Sequence, residues 1–286
     1  MITSFSNRSV REVVQLTQKA KVRNRQGVFV VEGVKMFAEA PTEKIERVYL
    51  AKRAEKELRE VYGKKLDKVF CEIVADDIFD KMSDTKTPQG ILTLVKQYQY
   101  RLEDLLSSVQ ARKCVDKHTG RSISIMGETG RKKQLYLLVE DIQDPGNLGT
   151  IFRTGEAVGA DGILMSSHTV DIYNPKTIRS TMGSVYRVPF VYTEDICGTV
   201  RELQKNNICV YAADLQAEKC YDECDYSGAS AFLIGNEGNG LRQETAVCAD
   251  VRICIPMEGS VESLNAAVAS TVLFYEAYRQ RRHGQQ

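Results

Sequence analysis

The sequence of 286 residues predicts two consecutive α/β domains, and two patterns support this fold class. Short runs of aliphatic and β-branched residues alternate with segments whose apolar residues recur at helical spacing, which is typical of strands that alternate with helices. The alternation weakens over residues 98–133, where polar and basic residues dominate. We therefore expect a basic N-terminal helix over 1–24, a smaller domain over 25–97, a linker or insertion over 98–133 and a larger domain over 134–286.

The composition is that of a chain that can build a hydrophobic core, with 43% hydrophobic and 27% charged residues. No apolar run approaches the ~20 residues that a membrane-spanning helix needs, and the N-terminus lacks the apolar stretch of a signal peptide. We therefore expect a cytoplasmic protein with no membrane partner. The eight cysteines form no C-x-x-C pair and only three histidines are present, so we expect no metal site and treat the cysteines as mostly small buried residues.

Basic residues are concentrated near the N-terminus, where six Lys and Arg residues up to position 30 stand against the single acid Glu12. Such an excess attracts a polyanion such as RNA. A solvated helix face explains one short segment more simply, so the charge alone does not decide between the two interpretations. The segment 108–133 is also basic and is interrupted by three glycines; we interpret it as a linker or mobile insertion rather than as an RNA contact.

The smaller domain begins after an amphipathic helix with apolar residues at Val10, Val13, Val14 and Leu16. Its strands and helices are then predicted in strict alternation. The predicted strands are 28–31, 48–50, 68–74 and 91–95, and the predicted helices are 34–40, 53–62 and 76–82.

The larger domain begins with an unbroken apolar run over 135–139, which is typical of a central parallel strand buried on both faces. Further strands are predicted at 162–165, 208–212, 231–234 and 251–255. Helices are predicted over 150–158, 175–182 and 195–205, near Leu241, and from Ser263 to the C-terminus.

Three polar loops each follow a predicted strand, at residues 141–149, 235–240 and 256–265. Ligands of open parallel sheets bind beyond the carboxyl ends of the strands, and these three loops should emerge at that edge. Each loop contains an asparagine beside turn residues, namely Asn147, Asn236 and Asn265. We therefore expect the loops to form one ligand site, although an ordinary strand–loop–helix corner is an even alternative for the last loop alone.

Two side chains near these loops are candidates for binding a reacting group. Ser263 can cap the last helix, whose first turn directs free N–H groups into the loop. Arg153 follows Asn147 by six residues and can hold a phosphate with two hydrogen bonds. The alternative for Arg153 is an ion pair inside the domain, for instance with Glu237.

Several common motifs are missing from the chain. No G-x-G-x-x-G follows a strand, no G-x-x-x-x-G-K-[ST] is present, and no G-x-S-x-G occurs. The G-N-E-G-N-G sequence at 235–240 has its glycines in a different order from a dinucleotide-binding loop. A nucleotide-dependent oxidoreductase is therefore disfavoured.

The three loops resemble the three motifs of the SpoU (TrmH-like) branch of the SPOUT RNA methyltransferases. The first motif is similar to D-P-G-N-L-G at 144–149 with Arg153-Thr154, the second to L-I-G-N-E-G-N-G-L at 233–241, and the third to the stretch 255–269. Residues 25–96 resemble the substrate-binding domain of rRNA-directed members. One departure is Gly155, where the family motif carries alanine.

This resemblance implies a C-terminal α/β domain with a trefoil knot that binds S-adenosylmethionine, and a homodimer with sites at its interface. It implies no metal. It implies that the cofactor contacts Leu215, Gly235, Ile255, Met257, Leu264 and Asn265. It also implies catalytic roles for Asn147, Arg153, Glu237, Ser263 and Asn265.

The resemblance implies transfer of a methyl group to a ribose 2′-hydroxyl, with 23S ribosomal RNA as the preferred substrate and tRNA as the alternative. Arg153 would act as a base or as a phosphate clamp, and we favour the clamp because arginine rarely loses its proton. A non-catalytic RNA-binding protein on the same fold is the second hypothesis, and the intact set of catalytic residues argues against it.

Overall fold

The computed structural model describes residues 1–107, 114–115, 122–123 and 133–283. The chain divides into two compact units. The first unit comprises Met1–Tyr98 with Asp171–Arg187, and the second comprises Gln99–Val170 with Val188–Gln286. Residues 171–187 thus belong to the first unit, although the sequence placed them within the larger domain. Most of the predicted linker over 98–133 lies outside the described residues.

Helices and strands are numbered along the chain. The helices are α1 (Arg8–Gln18), α2 (Ala20–Gln26), α3 (Val34–Glu39), α4 (Glu55–Leu66), α5 (Asp76–Met82), α6 (Leu102–Ser107), α7 (Pro145–Val158), α8 (Pro175–Thr181), α9 (Ile196–Lys205), α10 (Gln243–Ala246) and α11 (Ala266–His283). The strands are β1 (Val28–Glu32), β2 (Ile45–Ala51), β3 (Cys71–Val74), β4 (Ile91–Lys96), β5 (Cys114–Val115), β6 (Ser122–Ile123), β7 (Leu135–Val139), β8 (Gly162–Ser166), β9 (Phe190–Thr193), β10 (Cys209–Ala213), β11 (Ser230–Ile234) and β12 (Val251–Ile253). In the part of the chain that the structure describes, no helix has the length and apolar character to cross a membrane.

The first unit is built on a four-stranded sheet in the order β1-β4-β2-β3. Strand β4 runs antiparallel to β1 and β2, whereas β2 and β3 are parallel. Val10, Val13 and Leu16 on α1 are buried in a core with Ile78 and Phe79 of α5. The helical spacing that predicted α1 therefore marks the face of this helix that is buried in the core.

The segment 171–187 is attached to the first unit by specific polar contacts. The buried Arg23 of α2 donates to both Asp171 and the Leu16 carbonyl. The Tyr186 hydroxyl donates to the Met36 carbonyl at 3.1 Å. Because charged groups are seldom buried without a partner, the Arg23–Asp171 pair marks the segment as an integral part of this unit.

The second unit is built on six parallel strands in the order β12-β10-β11-β7-β8-β9. Strand β7 lies between β11 and β8, and all of its five residues are buried. This explains why residues 135–139 form an unbroken apolar run. The predicted α/β fold class with a mostly parallel sheet is confirmed, and the knot stays a prediction.

The starts of the two helices that border the predicted site loops differ from the sequence prediction. Helix α7 begins at Pro145 rather than Thr150, because Asp144 caps it by accepting from the Asn147 backbone N–H and proline occupies the first turn. Helix α11 begins at Ala266, and its cap is Asn265, whose Oδ1 accepts from the N–H groups of Ala267 and Val268. The prediction that Ser263 caps this helix is therefore wrong.

The expectation that the cysteines are mostly small buried residues is also corrected. Cys197 in α9 and Cys248 form a disulfide. Of the five free cysteines that the structure describes, Cys224 is buried and the other four are partly exposed.

Candidate functional site

The second unit contains a cavity of about 240 Å³ beyond the carboxyl ends of its strands. We call it the edge cavity. It is lined by the loops that follow β10, β11 and β12, together with the first turns of α11. Seven of the predicted site residues line it: Leu215, Gly235, Glu237, Ile255, Met257, Ser263 and Leu264. The structure thus brings residues from three distant parts of the sequence to one edge of the sheet.

The loop at 235–240 approaches itself closely. The Asn236 N–H donates to the Gly240 carbonyl at 3.0 Å, and the Gly240 N–H donates to the Asn236 carbonyl at 2.9 Å. A Cβ atom at Gly235 would lie 2.1 Å from the Gly240 carbonyl carbon, so no larger residue fits there without moving the backbone. The requirement for glycine in this motif is therefore steric, and the tight hairpin shapes one wall of the edge cavity.

Two further carboxylates, Asp214 and Glu262, line the edge cavity and were not predicted from the sequence. Asp214 directly follows β10, and it is partly exposed and forms an ion pair with Arg252. Its position after a parallel strand is the signal that could have identified it. Together with Glu237, these groups give the edge cavity a negative potential that suits a cationic ligand.

An unbroken chain of side-chain hydrogen bonds joins one residue from each of the three motifs, namely Asn147, Glu237 and Asn265. The Asn147 Nδ2 atom donates to Glu237 Oε1 at 2.9 Å, and Asn265 Nδ2 donates to Asn147 Oδ1 at 2.9 Å. We call this the amide chain. Residues separated by 90 and 118 positions in sequence are thereby connected directly.

Glu237 anchors one end of the amide chain as an ionised carboxylate. It also accepts from the backbone N–H groups of Gln143 and Asp144, each at 3.2 Å. Burial alone would raise the pKa of Glu237, but the hydrogen bonds from Asn147 and from backbone N–H groups outweigh it and hold the pKa below its ordinary value. A carboxylate that stays ionised only accepts, so it fixes which way Asn147 points.

The other end of the amide chain is fixed by α11. Because Asn265 Oδ1 accepts from two backbone N–H groups of the helix, its Nδ2 must be the donor to Asn147. Each of the two Nδ2 groups has a second N–H that the amide chain does not use. The site therefore presents oriented donors beside the edge cavity, which suits the binding of a hydroxyl or a phosphate oxygen.

Arg153 lies in the third turn of α7 and is exposed. Within the described residues its guanidinium forms no ion pair, so the suggested pair with Glu237 does not occur, and Arg153 does not line the edge cavity. An exposed, unpaired guanidinium on this helix is available to an external phosphate.

A buried carboxylate, Glu140, holds the far end of the 235–242 loop, and it was not predicted from the sequence. Glu140, only 1% exposed, accepts from Arg242 Nε at 2.8 Å, from the Arg242 backbone N–H at 2.9 Å and from Thr245 Oγ1 at 2.6 Å. The hydrogen bond to Glu140 raises the pKa of Arg242. We call this group the Glu140 clamp. Arg242 and Thr245 lie more than 100 positions away from Glu140 in the sequence, so no local pattern could have revealed the clamp.

Sequence models of two families match the chain: the SpoU rRNA Methylase family over residues 134–275, and the MRM3-like substrate binding domain over residues 7–93. A relative of similar length is 30% identical, and the chain therefore belongs to the SpoU rRNA methylase family. That relative is the Bacillus subtilis protein named 23S rRNA (guanosine(2553)-2'-O)-methyltransferase RlmP; the match covers 96% of this chain and 97% of the relative.

Two solved structures share the whole architecture. The AdoMet-bound rRNA methyltransferase of Sinorhizobium meliloti is 27% identical with a TM-score of 0.75, and the match covers 99% of this chain and 97% of that chain. The SpoU methyltransferase AviRb of Streptomyces viridochromogenes is 25% identical with a TM-score of 0.76, and the match covers 97% of this chain and 99% of that chain. The family resemblance drawn from the three motifs is thus confirmed.

Proposed function

We propose that this protein transfers the methyl group of S-adenosylmethionine to a ribose 2′-hydroxyl of 23S ribosomal RNA. The observation that carries the proposal is the amide chain, which places oriented N–H donors at the rim of a negatively charged cavity. A full-length relative is named as a 23S rRNA 2'-O-methyltransferase, and a solved relative is described as AdoMet bound. We expect the enzyme to act in the cytoplasm.

The residues of the edge cavity fit S-adenosylmethionine. Leu215, Ile255 and Leu264 offer apolar surface for a flat base, and the tight turn at Gly235 exposes backbone groups to it. Asp214 and Glu262 supply negative charge for a cationic ligand. When bound, S-adenosylmethionine supplies a methyl group on a sulfonium, which is already a good electrophile.

The protein's own residues then have to align the ribose, and the proton of its hydroxyl passes to solvent water, because none of the residues assigned here acts as a base. We assign the orientation of the ribose to Asn147, Ser263 and Asn265. Glu237 keeps the Asn147 amide in place and does not touch the reacting atoms. Arg153 holds the phosphate next to the target ribose, because a guanidinium stays protonated and acts poorly as a base.

The decisive assay incubates the protein with methyl-labelled S-adenosylmethionine and either 23S rRNA or tRNA, followed by alkaline hydrolysis. A methylated 2′-oxygen cannot attack the adjacent phosphate, so labelled alkali-resistant dinucleotides should appear from 23S rRNA. Label in tRNA alone would favour the alternative substrate, and label in neither RNA would favour a non-catalytic binding protein.

A matched pair of variants controls this assay. Gly235→Val places side-chain atoms against the Gly240 backbone, whereas Gly259→Val lies where a Cβ meets no atom within 4 Å. We expect the first substitution to abolish binding of S-adenosylmethionine and the second to leave binding and transfer intact. Equal behaviour of the two variants would contradict the assignment of the 235–240 loop to the cofactor.

We further infer that the protein acts as a homodimer in which Arg153 serves the partner's site. Two features support this: Val268 and Tyr275 on α11 are each 48% exposed, and Arg153 has no ion-pair partner among the described residues. Mixing the impaired Arg153→Ala and Asn147→Ala chains should then raise activity above that of either variant alone, because each mixed dimer regains one complete site. Mixtures that stay inactive although the chains exchange would show that Arg153 acts within its own chain.

A further inference from the structure

A second cavity, of about 320 Å³, lies in the first unit. Three segments build it: the start of α3 after β1, the residues that follow α5, and residues of the 171–187 segment. We call it the α3 cavity. It therefore needs both the N-terminal 98 residues and a segment that the chain supplies much later, and neither part forms it alone.

One wall of the α3 cavity is held rigidly by Glu32 at the end of β1. Its carboxylate accepts from Ser83 Oγ and Thr85 Oγ1, both at 2.5 Å, and from the Asp84 N–H at 3.2 Å. Three neutral donors use the lone pairs of this carboxylate, but its negative charge remains, so the anionic part of a ligand belongs beside Lys35 and away from Glu32. The segment that carries these donors is thereby fixed in place as one side of the cavity.

The polar groups left over in the α3 cavity are donors. Gln89 Oε1 accepts from the Val34 N–H at 2.9 Å, and the Gln89 Nε2 group forms no hydrogen bond with any residue that the structure describes. The Lys35 ammonium is half-exposed, with Glu39 no nearer than 3.9 Å. The Thr87 hydroxyl is exposed and forms no hydrogen bond with any described residue. Such a set suits a ligand rich in acceptor oxygens.

Two methionines supply the apolar surface of the α3 cavity. Met36 is buried, whereas Met182 is 43% exposed and has a left-handed backbone with φ of 50°. Met182 ends α8 as its left-handed C-cap, and this position holds its partly exposed side chain in the lining of the α3 cavity. Thioethers are polarizable and pack well against aromatic faces, so the two side chains suit a flat ring.

We propose that the α3 cavity binds one unpaired nucleotide of the RNA substrate, other than the nucleotide whose ribose is methylated. The base contacts Met36 and Met182, and an acceptor atom on its edge accepts a hydrogen bond from Gln89 Nε2. The phosphate of the nucleotide forms an ion pair with Lys35. This rests on the proposed function and adds a point of recognition to it. The first unit is positively charged, with 22 Lys and Arg residues against 15 Asp and Glu residues, and this charge attracts a nucleic acid and an acidic peptide alike. The apolar surface for a flat ring favours the nucleic acid.

Charge reversal at matched positions tests the phosphate contact. Lys35→Glu and Lys64→Glu change the charge of the same unit equally, and the exposed Lys64 on α4 lies outside the α3 cavity. We expect Lys35→Glu to weaken binding of 23S rRNA about tenfold more than Lys64→Glu, and to lower the slope of log affinity against log salt by about one. Equal losses in the two variants would overturn the proposal, even if methyl transfer by the wild-type protein proceeds.

Methyl NMR of methionine-labelled protein tests the base contact. Decaadenylate and decauridylate should shift the Met182 methyl signal, assigned with Met182→Leu, and leave that of Met165, which is buried in the other unit. An unchanged Met182 signal with either oligonucleotide, or an equal shift with decaglutamate, would overturn the proposal. Absence of any rRNA binding by the wild-type protein would overturn the proposed function as well.

Discussion

The two units carry charge of opposite sign. The first unit has 22 Lys and Arg residues against 15 Asp and Glu residues, and the second has 17 against 23. Seven of the 17 basic residues of the second unit fall in 108–133, nearly all of which lies outside the described residues. A net charge near zero for the whole chain thus conceals two units of opposite charge, which fits the two tasks that we propose for them: attraction of a polyanion in the first unit, and binding of a cationic methyl donor in the second.

The difference extends to how buried charge is used. In the first unit the buried Arg23 attaches a distant segment to the core of the unit. In the second unit the buried Glu140 and the partly exposed Glu237 orient polar loops around the edge cavity. The first arrangement fixes a surface segment, whereas we propose that the second aligns reacting groups, so substitutions in the two units should affect different measured quantities.

The largest effect on turnover is expected at Arg153, the cation of the second unit that we assign to a substrate phosphate. Arg153→Ala should lower methyl transfer about 100- to 1,000-fold while the affinity for S-adenosylmethionine stays unchanged. Arg153→Lys should recover part of the loss because it keeps the charge without the two-pronged geometry. Arg201→Ala, which removes an exposed arginine from α9 of the same unit, is the control and should turn over normally. Unchanged turnover in Arg153→Ala would refute the phosphate contact.

The next largest effect is expected in the amide chain. Asn147→Ala should lower kcat about 10- to 100-fold, and Asn147→Asp should lower it further because a second carboxylate would face Glu237. Because the two amides orient each other, Asn147→Ala and Asn265→Ala should be non-additive in a double-mutant cycle of kcat. Additive losses would mean that the residues act independently and that the amide chain is not a unit.

The part of this site that sequence reasoning predicted is the part governed by strand ends. Parallel strands present their carboxyl ends at one edge, and the polar loops after β7, β11 and β12 therefore had to converge. Asn147, Glu237 and Asn265 could be placed together on that ground. The buried strand β7 could also be predicted from the sequence, because a short unbroken apolar run is typical of a central parallel strand.

The parts that sequence reasoning missed depend on pairing at long range. Glu140 and Arg242 are 102 positions apart, and the attachment of Asp171 to Arg23 spans 148 positions. Neither contact leaves a periodic signal along the chain. The start of α7 was missed for a local reason. Aspartate followed by proline is common both in turns and at helix starts, and only the contacts of the folded chain show that Asp144 and Pro145 begin a helix.

The Glu140 clamp should affect cofactor affinity rather than the chemical step. Glu140→Gln keeps the shape of the side chain but weakens its bonds to Arg242, so the 235–242 loop loosens at its far end. We expect KM for S-adenosylmethionine to rise about tenfold with little change of kcat at saturation. Thr245→Val removes one bond from the same carboxylate and should give a smaller rise. A fall in kcat without a change of KM, or a lower Tm with neither kinetic change, would contradict a positioning role.

The smallest effect is expected in the pH dependence of stability, and it concerns Glu237 of the second unit. The pKa of Glu237 in the folded protein lies below its ordinary value, which is about 4.3 in an unfolded chain. A carboxyl with a depressed pKa contributes stability that is complete above its unfolded pKa and is lost as the pH falls through the folded value. Glu237→Gln should therefore flatten the decline of unfolding free energy on the acid side of pH 4.3 and leave its slope near neutrality unchanged. Denaturant titrations at several pH values measure this, and a decline with the same steepness in both proteins would show that Glu237 is not held as a carboxylate by the amide chain.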